Sequence, residues 1–86
     1  MEPGSEDRSR ALCELPSGAR VRLIRIDGGE GDLAVRLASH GFWPGTEITV
    51  IRRAPWGDPI QVRLRGLDLA LRREEARCVR VEEVEE

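Results

Sequence analysis

The chain has 86 residues, a length that allows one domain with a small core. All of its 14 basic residues are arginines, and 16 acidic residues bring the formal net charge to −2. A balance so close to neutral argues against a dedicated binder of nucleic acid or of anionic membranes. No apolar run approaches the roughly 18–20 residues that span a bilayer, and the N-terminus lacks the apolar stretch of a signal peptide. We therefore expect a cytoplasmic protein.

Composition divides the chain into a domain and two short ends. Residues 1–11 are rich in Pro, Gly, Ser and charged side chains, so we expect a disordered lead there. Residues 12–84 are predicted to form one folded domain, because no linker or internal repeat divides them. Residues 85–86 continue an acidic run and are predicted to be a solvated tail.

The first predicted strand covers residues 20–26. Val21 and Leu23 fall on one face, whereas Ile24 and Ile26 fall on the other. This change of phase indicates a β-bulge or a sharply bent strand, as a small barrel requires.

The main predicted helix covers residues 32–40. Asp32 is placed as its N-cap, and Leu33, Leu37 and His40 share one apolar face at spacings of four and three. We therefore expect His40 to be a partly buried packing residue. Gly41 lies where a left-handed residue ends a helix, with apolar Phe42 after it.

The rest of the chain has a period of two, which indicates strands. Ile48 and Val50 mark one strand, residues 60–65 mark the next, and residues 67–72 follow after a turn at Gly66. Residues 73–77 are predicted to form a brief helical turn before a last strand at Val79 and Val81. The total is about five strands with one short helix. Such strands must bury one apolar side and protect their edges, which favours a small barrel over an open sheet.

Several of these elements occur together in the order typical of one family. An Arg-Leu helix ends in glycine, a Pro-Gly pair opens a strand, a Gly-Asp-Pro turn forms a hairpin, and an Ala-Leu-Arg-Arg run leads to a Val-x-Val strand. They are Arg36-Leu37, Gly41, Pro44-Gly45, Gly57-Asp58-Pro59, Ala70-Leu71-Arg72-Arg73 and Val79-Arg80-Val81. In this arrangement the chain resembles the FeoA family, from about Leu12 to Val84. The pattern usually has leucine where this chain has His40.

The FeoA resemblance implies an SH3-like barrel and a non-enzymatic accessory role in bacterial ferrous iron uptake. It implies that the chain binds the cytoplasmic GTPase domain of the membrane transporter FeoB and reaches the membrane only through that partner. The alternative is a small SH3-like regulatory module that binds nucleic acid or belongs with a metal-dependent transcriptional repressor. Whether the chain also associates with copies of itself is left open.

The sequence gives little support for a catalytic, cofactor or metal site. The glycine-rich residues 28–31 lack the Gly-Lys-Ser/Thr ending of a phosphate-binding loop, and Glu30 and Asp32 would repel an anion. His40 is the sole histidine, and neither Cys13 nor Cys78 has a partner at metal-ligand spacing. We expect no catalytic residue, no cofactor and no metal site within one chain. The two cysteines are expected to be reduced, and a redox role for them stays open.

Two tryptophans are the best candidates for contacts with a partner. Trp43 and Trp56 both lie in predicted turns rather than on apolar strand faces, and tryptophan is enriched among interface anchors. The alternative is that they fold back to cover the ends of the barrel. We predict a partner-binding surface centred on Trp43 and Trp56, with Arg52 and Arg53 at its rim. Arginines on the outer strand faces could form a basic patch for phosphates or for an acidic protein surface, or a solvated face that is paired with Glu47 or Asp68. They are Arg52, Arg53, Arg63, Arg65, Arg72 and Arg73.

Overall fold

The computed structural model describes residues 9–29 and 31–84. The elements, in chain order, are β1 (Arg10–Ala11), a 3₁₀ turn (Leu12–Glu14), β2 (Arg20–Ile26), α1 (Leu33–Ala38), β3 (Glu47–Arg53), β4 (Ile60–Leu64), β5 (Leu67–Leu71), α2 (Arg73–Arg77) and β6 (Val79–Glu83). The strands form one antiparallel sheet in the order β1-β6-β2-β3-β4-β5. The predicted mainly β architecture is confirmed.

All six strands contribute side chains to one apolar core. A single sheet can place both of its edges around the same core only if it curls, which agrees with the predicted small barrel. The buried strand residues are Ala11, Val21, Leu23, Ile48, Val50, Ile60, Val62, Leu64, Leu71, Val79 and Val81.

Two bulges give the sheet its bends. In β2 the register with β6 shifts between Leu23 and Arg25, which confirms the irregularity predicted from the change of phase in this strand. A second shift lies in β3 between Val50 and Arg52, opposite β4. An extra residue in one strand increases the local twist, so both bulges help the sheet to curve around its core.

Helix α1 ends through a Schellman motif. The Gly41 amide donates to the Ala38 carbonyl at 3.0 Å, and the Phe42 amide donates to the Leu37 carbonyl at 3.1 Å. Gly41 has φ +100°, and Phe42 and Leu37 are both buried, as this motif requires. The predicted left-handed glycine is confirmed.

The prediction for His40 is wrong. Helix α1 stops at Ala38, two residues earlier than predicted, and His40 is exposed. The reason is that the chain tightens after the helix, with the His40 amide bonded to the Leu37 carbonyl at 2.9 Å. Phe42, rather than His40, therefore extends the apolar face. Asp32 does occupy the N-cap, but its side chain accepts no capping hydrogen bond.

Replacing Gly41 by alanine should lower the free energy of unfolding by about 1 kcal/mol. A Cβ there would meet Leu64 and Arg65 side-chain atoms at 3.6 Å, an ordinary contact, so the cost arises from backbone strain. Urea denaturation of the wild type, Gly41→Ala and Gly41→Asn measures it. Asparagine tolerates positive φ better and should cost less than alanine. An alanine variant as stable as the wild type would contradict the assigned role.

The N-terminal boundary of the fold lies earlier than predicted. Arg10 and Ala11 pair with Val81 and Arg80 of β6, so β1 falls inside the stretch expected to be a disordered lead. This pairing also raises the number of strands from the predicted five to six. Residues 1–8 and the predicted acidic tail, 85–86, lie outside the described residues.

Arg65 and Gly66 make the tight turn between β4 and β5. Both have positive φ, 54° and 78°, and the flanking Leu64 and Leu67 pair across the hairpin. Two left-handed residues in a two-residue loop match the twist of the strands that they join. Helix α2 follows β5 at the predicted residues, and the Glu75 carboxylate accepts a hydrogen bond from the Arg72 amide at 2.9 Å.

Candidate partner-binding surface

Trp43 lies in a turn that is fixed by backbone hydrogen bonds. Its amide donates to the Gly41 carbonyl at 2.9 Å, and its carbonyl accepts from the Thr46 amide at 3.0 Å. The next bond, from the Gly45 amide to the Leu23 carbonyl at 2.7 Å, ties this turn to β2. The Trp43 side chain is nevertheless 54% exposed. A rigid backbone therefore presents an indole to solvent.

Trp56 lies at the other end of β3, in the loop that leads to β4. The Gly57 amide donates to the Ala54 carbonyl at 2.7 Å, and the Ala54 amide donates to the Pro59 carbonyl at 3.1 Å. The Trp56 side chain is 77% exposed. Neither indole is part of the buried core, and both are mostly exposed.

The four predicted site residues do not form one compact group. The seven residues of β3 separate the two tryptophan turns by roughly 20 Å. Arg52 pairs across the sheet with Gln61, whereas Arg53 pairs with buried Ile60. Because paired residues share a face, Arg52 belongs to the outer face and Arg53 to the inner one. The structure thus brings Arg52, Arg53 and Trp56 to one end of β3 and leaves Trp43 at the other.

A groove beside Trp43 was not predicted from the sequence. It is lined by Trp43, Pro44, Gly45, Thr46, Glu47 and Arg65. Arg65 reaches this groove because the turn between β4 and β5 returns beside the start of β3. Strand periodicity placed Arg65 on an outer face but gave no indication of its neighbour, since that depends on the register of the hairpin.

The outer arginine of β4 is paired with an acidic residue. Nε and Nη2 of Arg63 donate to the two Asp68 carboxylate oxygens at 2.6 and 3.0 Å. Glu47 pairs with Arg20 instead, at 3.3 Å. Of the two interpretations left open for Arg63, the structure supports the ion pair.

The Arg63–Asp68 pair predicts a pH-dependent signal. Its hydrogen bonds hold the pKa of the Asp68 carboxyl below the ordinary value of 3.8. Because the folded-state pKa is lowered, the ion pair stabilises the folded state above pH 3.8. That stabilisation is lost as the pH falls through the folded-state pKa of Asp68. In an NMR titration, Asp68 should titrate below pH 3.8, and Arg63→Gln should move its midpoint back towards that value. A wild-type midpoint at or above 3.8 would contradict the pairing.

The two cysteines and the histidine, the weaker candidates for a metal or redox site, do not come together in the structure. Cys13 is buried and Cys78 is half-buried, both as free thiols. His40 is exposed beside Leu69 and Leu71, in a small cleft that contains neither cysteine. Within residues 9–29 and 31–84, no three His, Cys, Asp or Glu side chains lie close enough together to hold a metal ion.

The sequence profile of the FeoA domain matches residues 10–83, which is most of the chain. The chain belongs to the FeoA family. This FeoA-family chain is also similar to an Fe(2+) transport protein A/Fe(2+) transporter FeoB fusion protein of Porphyromonas gingivalis, with 37% identity over 71 residues. That match covers 83% of the chain but only 8% of the fusion protein, so the chain spans a small part of this relative's length.

Solved structures of FeoA proteins have the same fold. A FeoA-like protein of Clostridium acetobutylicum matches with 36% identity and a TM-score of 0.81, over 94% of this chain and 93% of that one. Stenotrophomonas maltophilia FeoA, described as a prokaryotic SH3 domain protein complexed with zinc, matches with 30% identity and a TM-score of 0.73, over 83% and 87%. The resemblance and the SH3-like fold predicted from the sequence are both confirmed. Neither helix of the part described here is long and apolar enough to cross a membrane.

Proposed function

We propose that this FeoA-family chain is a non-enzymatic accessory of ferrous iron uptake that binds the cytoplasmic GTPase domain of a FeoB-type transporter. The observation that carries the proposal is the fusion protein of P. gingivalis, whose name joins an Fe(2+) transport protein A to the transporter FeoB in one polypeptide. Covalent fusion keeps two modules at a high effective concentration, which is useful where they act together.

The proposed binding surface consists of Trp43 and Trp56, with Arg52 and Arg53 near the second indole. Both tryptophans are exposed on turns with fixed backbones, so docking would order little of the chain. A standard interface buries roughly 800 Å² on each partner, a patch wide enough to include two anchors about 20 Å apart. The two indoles therefore suit the two ends of one interface better than a single pocket.

The proposed mechanism is a shift in the conformational equilibrium of the partner. A bound module changes such an equilibrium only by the difference in its affinity for the two states. For a GTPase, those states are the nucleotide-bound and nucleotide-free forms. We expect the chain to bind one form more tightly, and no reaction step is assigned to its own side chains.

Co-purification with the soluble GTPase domain of the transporter tests this proposal. The domain is prepared in nucleotide-bound and nucleotide-free forms, and retention of the chain is measured for each. We expect retention that differs between the two forms. The control is an unrelated small GTPase domain, which should retain nothing. No retention by either form, together with salt-dependent binding to duplex DNA, would support the regulatory nucleic-acid module instead.

A further inference from the structure

The arginines of the described residues fall into two groups. One group has polar partners within the chain, mostly carboxylates: Arg10 with Glu83, Arg20 with Glu47, Arg22 with Glu82, Arg25 with Asp27, Arg36 with Glu75, Arg63 with Asp68 and Arg80 with Ser9. The second group has no carboxylate within ion-pairing distance among residues 9–29 and 31–84. It consists of Arg52, Arg53, Arg65, Arg72, Arg73 and Arg77.

Five of these unpaired arginines lie at one end of the sheet. Arg53 pairs with Ile60, and Ile60 pairs with Leu71, so these three residues form one row across β3, β4 and β5. Neighbouring strands are about 4.8 Å apart, which places Arg53 within roughly 10 Å of Leu71 at the level of the backbone. Arg72 follows Leu71 directly. We call Arg52, Arg53, Arg72, Arg73 and Arg77 the arginine cluster.

A groove connects this cluster with the loop that carries Trp56. Its lining residues are Asp58, Pro59, Arg72, Arg73, Glu74 and Arg77. The Asp58 carboxylate accepts a hydrogen bond from the Arg73 amide at 3.0 Å, which attaches the loop to the start of α2. A Cβ at Gly57 would come within 3.8 Å of a terminal guanidinium nitrogen of Arg73. Trp56 and the arginines of α2 therefore border the same surface.

None of the described carboxylates forms an ion pair with the guanidinium groups of the cluster. Asp58 is occupied by a backbone amide rather than by an arginine side chain. Arg53 is half-buried, and its Nε is fully buried without a hydrogen-bond acceptor among the described residues. A buried donor without an acceptor costs free energy, and none of the described residues offsets that cost at Arg53. In the other described strands the exposed arginines are paired, and outside the cluster Arg65, in the turn between β4 and β5, is the one unpaired arginine of residues 9–29 and 31–84.

We infer that the arginine cluster, with Trp56 at its border, is a binding site for an acidic segment of a partner protein. The inference deepens the proposed function and rests on it only for the identity of that partner. Guanidinium groups bind carboxylates through paired hydrogen bonds, and arginine and tryptophan are both enriched among residues that dominate interface energies. The ligand that this site would bind is a run of Asp and Glu side chains.

A nucleic acid suits this site less well. The whole chain has a formal net charge of −2, so it has no excess of positive charge to attract a long polyanion. Single-stranded nucleic acid also needs several aromatic stacking surfaces, and no aromatic side chain of the described residues lines this groove. A short acidic protein segment carries less charge than a long polyanion and needs no aromatic stacking surfaces.

The test compares two double variants that remove the same charge. Arg73→Gln/Arg77→Gln changes the cluster, whereas Arg10→Gln/Arg22→Gln removes two arginines that are paired with Glu83 and Glu82 near the other sheet edge. Affinities are measured at several salt concentrations for three probes: the soluble GTPase domain, a labelled glutamate-rich peptide, and a DNA oligonucleotide of the same formal charge. Thermal melts of each variant establish that it is folded.

We expect the cluster variant to bind the domain and the peptide about tenfold more weakly at low salt, with a reduced salt dependence, and the control to change less than twofold. Binding of the peptide but not of the domain would support the acidic-ligand site and contradict the proposed partner. Binding of the domain with equal affinity by both variants would overturn the site and leave the proposed partner in place. Tighter binding to the oligonucleotide than to the peptide, or binding to none of the probes, would also overturn the site.

Discussion

Replacing Phe42 by alanine is expected to unfold the domain or to leave it barely stable. Phe42 is 2% exposed, and the Schellman motif at the end of α1 holds it against the core beside Leu37. Truncating a buried phenylalanine costs about 3–5 kcal/mol, because both its transfer free energy and its packing are lost. The core of a domain this small supplies about 3–5 kcal/mol of net stability. Circular dichroism during thermal and urea denaturation measures the loss.

The next residue provides the control for Phe42. Trp43 is also a large aromatic residue, but its side chain is exposed, so Trp43→Ala should change the free energy of unfolding by only about 0.5 kcal/mol. Two neighbouring aromatic residues are thus expected to differ several-fold in their effect on stability. Equal losses for the two variants would mean that Trp43 packs on the fold as Phe42 does, and would contradict its assignment to a contact surface.

Features that depend on local chemistry were predicted well from the sequence. The left-handed conformation of Gly41 follows from a glycine and an apolar residue after a helical pattern. The bulge in β2 follows from a change in apolar phase within one strand, and α2 was placed at the residues observed. In each case the signal lies within a few neighbouring residues, so backbone preference and side-chain alternation are sufficient to predict the local structure.

Features that depend on distant pairing were missed. The two residues of β1 are too short to show alternation, and they become a strand only because β6 lies beside them. His40 fits a helical face by spacing, but the tightened last turn of α1 ends that spacing before His40. The lack of ion pairs in the arginine cluster could not be predicted from the sequence either, because it depends on which strands are neighbours and on their register. The candidate site was therefore only partly predictable.

Trp56→Ala is expected to weaken binding to the GTPase domain by at least about 2 kcal/mol, or roughly thirtyfold, while the domain stays folded. The exposed indole contributes little to the core, but in an interface it would bury a large rigid surface beside the arginine cluster. Trp43→Ala should produce a loss of similar size if both ends of β3 contact the partner. Titrations of the GTPase domain, run beside thermal melts of both variants, measure the two effects separately.

The matched control for the tryptophans is Val35→Ala. Val35 is another large apolar side chain, 69% exposed, but it lies on α1 and outside the proposed surface. Its truncation should leave the affinity unchanged, because exposure alone does not make an anchor. Loss of affinity in all three variants would indicate a general effect of exposed apolar area, and unchanged affinity in folded Trp43 and Trp56 variants would remove this surface as the contact. A loss for Trp56→Ala alone would confine the interface to the end of the sheet that carries the arginine cluster, because the roughly 20 Å between the indoles then exceeds the contact region.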